Sequence, residues 1–327
     1  MSSANKMKIV CGTMSFGQEG TRGFPHINSA EEAGRVLDAF QRHGHTELDS
    51  ARAYGEGTTE ELLGDLDWQK RGLKMDTKLF PTAGHTLEKT AGYTHKPEDV
   101  RRGLLDSLKA LKADKIEMFY LHGPDRKHPY EDTLRAVNEL HQEGYFNRFG
   151  LSNFMAWEVA QMCEIAKRHG WIQPTAYEGH YHALQRSVEP ELFPCLRYYG
   201  IAFYVYSPLA GGLLTGRFDR GQEITNFHLK YLWNPQYYDA LDIIKPATQK
   251  HGLTMAETAL RWLVHHSKLR TELSDAIILG AGSVKNLEAN LTDLEKGPLP
   301  EDVVKALNDA WLVCRGSARV YHIPSDT

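Results

Sequence analysis

PEDVRRGLLDSLKAL (97–111) and IEMFYLHG (116–123) stand a few residues apart and obey different periods. In the first, Val100, Leu104, Leu105, Leu108 and Leu111 share one face and Pro97 occupies the first turn, which predicts an amphipathic helix. The second is a short apolar run of strand length. LKMDTKLF (73–80) precedes the helix in the same way, so residues 73–123 read as strand, helix, strand. The alternation continues in both directions. Further short runs are KIVCGTM (8–14), TELDS (46–50), NRFGLSN (147–153), TAYEGHY (175–181), IAFYVYS (201–207) and AIILGAG (276–282). Helical patterns fall at 31–43, 132–143, 156–169, 187–199 and 255–267, with 299–314 similar.

Eight strands alternating with helices imply a parallel sheet, and eight units in 327 residues fit a closed (β/α)8 barrel spanning 1–327 as one domain. The first strand is not followed by GxGxxG, which counts against an open dinucleotide-binding sheet. Between the seventh and eighth strands, 213–250 exceeds one crossover helix and is rich in aromatics: Phe218, Phe227, Tyr231, Trp233, Tyr237 and Tyr238. It reads as a loop covering the barrel mouth.

A formal net charge of −4 without any long Lys/Arg run argues against nucleic acid or an anionic membrane surface as partner. The four cysteines (Cys11, Cys163, Cys195, Cys314) are scattered, so neither a disulfide framework nor a zinc site is expected. MSSANKMKIV (1–10) has no leader pattern, and no segment approaches the ~20 apolar residues of a membrane span. The expectation is a cytoplasmic protein.

In a β/α barrel the carboxyl ends of the strands face one mouth, where the chemistry sits. Asp49 ends the second strand, and Tyr54 follows in the Gly-bearing turn DSARAYGEG (49–57). Lys78 ends the third strand, His122 the fourth, Ser152 and Asn153 the fifth, Glu178 the sixth, Tyr206 and Ser207 the seventh, and Gly280–Ser283 the eighth. Singly, each has an ordinary explanation: turn former, edge lysine, interior histidine, packed tyrosine. Together they place polar groups at one height around a ring. A buried Lys and Asp are costly unless paired, and a Lys beside a tyrosine hydroxyl draws its pKa down from the usual ~10 toward working pH. His122, His128, His180 and His182 lack HExxH or facial-triad spacing, so no metal site is expected. GxSxG is absent as well, which speaks against a serine nucleophile.

These residues match a known family. GTMSFG (12–17), ELDSARAYGEGTTEELLG (47–64), TKLFP (77–81), FYLHGPD (119–125), FGLSNF (149–154), QPTAYEGHYHALQR (173–186), YSPLAGGLLTGRF (206–218) and ILGAGSVKNLEANL (278–291) resemble the aldo-keto reductases, and within them the aflatoxin-aldehyde reductase branch. The resemblance implies an NADP(H)-dependent reductase of aldehydes, and of dicarbonyls or ketones, with a catalytic tetrad of Asp49, Tyr54, Lys78 and His122. Tyr54 is then the proton donor, Lys78 held by Asp49 tunes it, and His122 orients the carbonyl. Ser152 and Asn153 resemble the pair that bonds the nicotinamide amide, and Tyr206 the ring stacked beneath it. SPLAGGLLTGR (207–217), with Ser207, Leu209, Gly211 and Arg217, resembles the pyrophosphate loop. Ser283, Lys285, Asn286 and Asn290 occupy the adenosine segment, where a Lys and a Ser favour the 2′-phosphate. Dimers occur in this branch, which makes a homodimer the expectation.

Three departures stand out. Glu178 replaces the usual Gln on the nicotinamide amide and cannot donate a hydrogen bond while ionised. The adenosine segment reads AGSVKN (281–286) in place of a richer Ser/Gln pattern. FHLKYLWNPQYY (227–238) and VYHIPSDT (320–327) lack the arginines that hold carboxylate-bearing aldehydes, Lys230 and Arg319 being the nearby cations. The aromatic lining points instead to bulky or aromatic aldehydes. Two other readings compete. A nicotinamide-binding regulatory subunit similar to channel β-subunits is expected to carry an added N-terminal segment, whereas strand one begins by about residue 8. A barrel hydrolase or lyase using the same carboxylates would not bind a nicotinamide cofactor.

Overall fold

The computed structural model describes residues 6–21, 25–84, 92–218, 220 and 235–324. Eight parallel strands, each paired with the next and β8 with β1, close into a barrel. They are β1 (Lys8–Gly12), β2 (Glu47–Asp49), β3 (Lys74–Leu79), β4 (Ile116–Leu121), β5 (Phe146–Ser152), β6 (Pro174–His180), β7 (Ala202–Tyr206) and β8 (Ala276–Gly280). Around them lie α1 (Ala30–Arg42), α2 (Thr58–Gly64), α3 (Pro97–Ala110), α4 (Tyr130–Gln142), α5 (Ala156–His169) and α6 (Leu192–Tyr199). The ring is completed by α7 (Pro235–Lys250), α8 (Met255–His265), α9 (Val284–Leu294) and α10 (Glu301–Cys314).

The period-two alternation of strand side chains sorts the apolar residues into two cores. Phe119, Leu121, Tyr177, Phe203 and Val205 face outward, into the large core they share with the helices. Met118, Tyr120, Ala176, Ala202, Tyr204, Val10, Ala276 and Ile278 form a second, smaller cluster inside the barrel. Gly150 makes room there: a Cβ on it would lie 2.3 Å from the Tyr120 ring. The same alternation places Glu47 and Asp49 on one side of β2, and Asp76 and Lys78 on one side of β3. All four are buried. The barrel interior is therefore unusually polar. Lys8 Nζ, at the amino-terminal end, donates to Glu47 Oε1 and to the Tyr204 hydroxyl, each at 2.6 Å.

The stretch 213–250 differs from the sequence expectation of a single loop over the mouth. Its second half is α7, packed along α10. Tyr237, Ala240, Leu241, Ile244 and Thr248 form the buried stripe of that helix, so Tyr237 points into the shell and not over the mouth. Pro246 lies inside this helix, where burial of the stripe outweighs the hydrogen bond that a proline removes. Phe227, Lys230, Tyr231 and Trp233 lie outside the described residues. Two helices absent from the sequence reading, α2 and α9, follow β2 and β8, and the helix expected over 187–199 begins only at Leu192. Among the described residues no helix is long and apolar enough to cross a membrane.

Candidate active site

Tyr54 opens a tight turn, Tyr54–Gly57, in which Gly55, Glu56 and Gly57 all have positive φ. Only such a left-handed path swings the chain from the end of β2 into α2 within four residues. The turn is tied down by backbone bonds to β3, from Ser50 N to Asp76 O (2.9 Å) and from Arg52 N to Lys78 O (3.0 Å). Behind it Arg52 and Thr77 both bond the buried Glu60 of α2. The main chain therefore sets where Tyr54 stands relative to Lys78.

Lys78 is only 1 % exposed. Its ammonium donates to the Asp49 carboxylate and, at 2.8 Å, to Ser50 O; Glu178 Oε2 is 3.3 Å away. It lies 5.3 Å from the centroid of the Tyr54 ring. The rings of Tyr54 and His122 meet edge to face at 5.7 Å, and Phe80 meets His122 in the same way at 5.8 Å. The structure thus brings Asp49, Tyr54, Lys78 and His122 together, and adds Glu178 to the group.

Burial opposes the Lys78 charge, but Asp49, then Glu178 and Tyr54, more than offset it and hold the ammonium charged. His122 is kept neutral by burial and by the facing ammonium, and its Nδ1 has no partner among the described residues. Tyr54 departs from the sequence expectation. Lys78 does draw its pKa down, but burial, aided by Asp49 and Glu178, raises it above the ordinary value. Tyr54 is accordingly a neutral phenol, with a proton to donate. Glu178 is pushed well above the carboxylate range by burial and by Asp49, opposed by Lys78, and its Oε1 is buried without a partner among the described residues.

The remaining candidates gather around the rim. Ser152 is buried beside Glu178, its register partner in β6. The Asn153 side chain is largely committed: Nδ2 donates to His122 O and Ser152 Oγ, and Oδ1 accepts from the Tyr206 hydroxyl at 2.8 Å. The Tyr206 ring lies parallel to His180 at 5.5 Å. Asn153, Ser207 and Ala210 are all non-glycine residues at positive φ, a strained geometry typical of ligand-binding turns. Leu209 leads into the 3-10 turn Ala210–Thr215, where Gly211 and Gly212 are also left-handed. Arg217 is exposed beside it. Ser283 caps α9, its Oγ accepting from Asn286 N at 3.2 Å. Lys285 and Asn286 are exposed in the first turn of that helix, with Asn290 buried one turn on. Ser15 Oγ donates to Ala281 O, tying this segment to the end of β1.

Sequence reasoning missed one wall of the mouth. A Cβ on Gly123 would come within 2.7 Å of Ile323 and 3.0 Å of Phe80, so the C-terminal segment meets β4 directly beside His122. Ile323 N donates to Asn153 O, and Arg126, paired with Glu158, holds the carbonyls of Ile323 and Pro324. Only contacts between distant parts of the chain reveal this; HIP (322–324) carries no local signal. Among the described residues no group of three or more His, Cys, Asp or Glu is placed to hold a metal ion.

A closed barrel with a neutral tyrosine, a buried ammonium and a neutral histidine converging at the carboxyl ends of its strands defines the class of barrel oxidoreductases. The sequence model of the aldo/keto reductase family matches residues 8–312. An aldo-keto reductase of Pseudocercospora fijiensis is 49% identical over 88% of this chain and 99% of its own length. Human aldo-keto reductase family 7 member A3 is 42% identical over 87% of this chain and 93% of its own. Human aflatoxin B1 aldehyde reductase member 2 is 41% identical over 94% of this chain and 87% of its own. The chain belongs to the aldo/keto reductase family.

Proposed function

We propose that this protein reduces aldehydes, and with them dicarbonyls and ketones, to alcohols with NADPH as the electron source. The observation that carries the reading is the neutral Tyr54 hydroxyl set against both the buried Lys78 ammonium and the neutral His122 ring. When bound, the cofactor supplies hydride to the carbonyl carbon. A carbonyl accepting hydride gains negative charge on oxygen, so it needs donors that converge on that atom. Tyr54 releases its proton to the oxygen. His122, uncharged, orients the carbonyl and polarises it. Lys78 stabilises the charge left on Tyr54, and Asp49 fixes Lys78 against β2. General acid work of this kind contributes on the order of 10²–10⁴ in rate.

The rim residues fit a dinucleotide. Left-handed Gly211 and Gly212 leave backbone amides approachable by a pyrophosphate, with Arg217 as a nearby charge. The unpartnered Oε1 of Glu178, together with Ser152 and Asn153, suits the carboxamide of a nicotinamide, and the Tyr206 ring offers a face to stack on. Ser207 and Leu209 continue the same loop. Ser283, Lys285, Asn286 and Asn290 would hold the adenosine and its 2′-phosphate, and exposed Lys285 is the charge that favours NADP over NAD. The apolar wall of Phe80 and Ile323 suits bulky or aromatic aldehydes, in keeping with relatives named for aflatoxin B1 aldehyde.

The test is loss of NADPH absorbance with a broad aldehyde panel, aromatic and aliphatic. Turnover of none of them, or oxidation of NADH in preference to NADPH, overturns the reading.

A further inference from the structure

Lys78 is shared between two carboxylates, not one. Asp49 and Glu178 both approach the same ammonium, and no more than 4% of any of the three side chains is exposed. Two carboxylates and one ammonium leave one negative charge in excess. Isolated charge inside a protein is too costly to persist without a counter-charge or a proton. Among the described residues, the groups facing Glu178 supply no second cation. They are Asp49 on β2, Tyr54 in the following turn, Asp76 and Lys78 on β3 and Tyr120 on β4. Its register partners are Ser152 on β5 and Tyr204 on β7. Glu178 Oε1, with no partner of its own, is where a proton can sit.

We propose that Glu178 stores a proton for the reaction, holding it while the reduced cofactor is bound and releasing it when the oxidised, cationic cofactor supplies the missing positive charge. The inference rests on the reading above, which requires hydride to be delivered next to Tyr54 and therefore puts the nicotinamide charge in the pocket that Glu178 floors.

The proton balance closes within the chain. As Tyr54 gives its proton to the carbonyl oxygen, its O–H bond breaks and the product O–H bond forms. Lys78 passes a proton to the resulting phenolate, and Glu178, whose Oε2 faces Lys78, turns its carboxyl so that the proton-bearing oxygen meets Lys78 and passes the proton on. Tyr54 and Lys78 end the step as they began. The product carries the proton that Tyr54 gave up, Glu178 makes good the loss through Lys78, and Glu178 ends ionised beside the cationic ring. Glu178 touches no reacting atom, so it acts through Lys78.

The experiment uses the intact protein and fluorescence titrations with NADP⁺ and with NADPH from pH 6 to pH 9, comparing wild type with Glu178→Gln. The ratio of the two Kd values cancels ionisation of the 2′-phosphate, which both cofactors share. In the wild type, NADP⁺ is expected to gain on NADPH by up to about tenfold per pH unit. In Glu178→Gln the ratio is expected to be independent of pH. Calorimetry in two buffers of different ionisation enthalpy needs no variant, and is expected to show one proton more released with NADP⁺ than with NADPH. A pH-independent ratio in the wild type, or one equally pH-dependent in Glu178→Gln, overturns the inference and leaves the cofactor reading intact. Failure of either cofactor to bind overturns the cofactor reading itself.

Discussion

The rings of Tyr54 and His122 stand edge to face, 5.7 Å between centroids with their planes at 79°, although the two residues follow different strands, β2 and β4. Each brings a polar group to the same point of the mouth. Burial, with the Lys78 ammonium behind them, keeps His122 from becoming charged, and Lys78 offsets charge left on Tyr54.

Removing the Tyr54 hydroxyl tests its role directly. Tyr54→Phe is expected to lower the rate of aldehyde reduction by about 10²–10⁴ while leaving the Kd for NADPH and the unfolding midpoint nearly unchanged. Equal reduction rates for the variant and the native protein would remove Tyr54 from the chemistry.

Lys285 projects from the first turn of α9 beside Ser283. Lys285→Ala is expected to weaken NADP(H) binding about tenfold, the worth of one charge-assisted hydrogen bond, and to leave NAD(H) unaffected. Parallel fluorescence titrations check this, and an equal loss for both cofactors would show that Lys285 does not read the phosphate.

Three buried histidines and the half-buried His122 shape the acid side of the stability curve. Burial lowers His95 and His180 to about 4, and His122 and His182 well below their ordinary value. Each stays neutral in the folded chain but takes up a proton below pH ~6.5 when unfolded, so falling pH favours unfolding. Stability is therefore expected to drop between pH 6.5 and pH 4, with His95 and His180 each contributing about 3 kcal/mol at the acid limit. Urea midpoints for the native protein and for His95→Gln measure it: the variant is expected to show a shallower decline.

Asp76 gives the opposite sign. Burial, then Glu47 and Asp49, push its carboxyl far above the usual range, and neither oxygen has a partner. A carboxyl held neutral in the fold but ionised when unfolded costs stability once the pH passes ~3.9, and the cost grows as pH rises. Asp76→Asn keeps the volume and supplies donors to the neighbouring carboxylates. It is expected to stabilise the protein by on the order of 1 kcal/mol at pH 8 and by less at pH 5. A variant that is less stable at pH 8 than the native protein would mean that Asp76 is ionised and paired in the fold.

The β/α alternation was legible because strand and helix periods differ so plainly in LKMDTKLF, PEDVRRGLLDSLKAL and IEMFYLHG. The ring of polar strand ends was legible because one height recurs at intervals of about one β/α unit. What misled was local. The length and the aromatics of 213–250 looked like loop, whereas Tyr237, Ala240, Leu241 and Ile244 form a helical stripe whose burial against α10 decides the matter.

The sequence alone determined the barrel, the family and the residue types at the mouth, since these follow from periodicity, spacing and motifs carried within short stretches of chain. The tertiary structure decided what depends on distances between those stretches. It set Glu178 against Lys78, left Tyr54 a neutral phenol where its lysine neighbour alone suggested a lowered pKa, and brought Ile323 beside Phe80 and His122. Burial and the field of neighbouring charges act through space, and a linear sequence does not contain those distances.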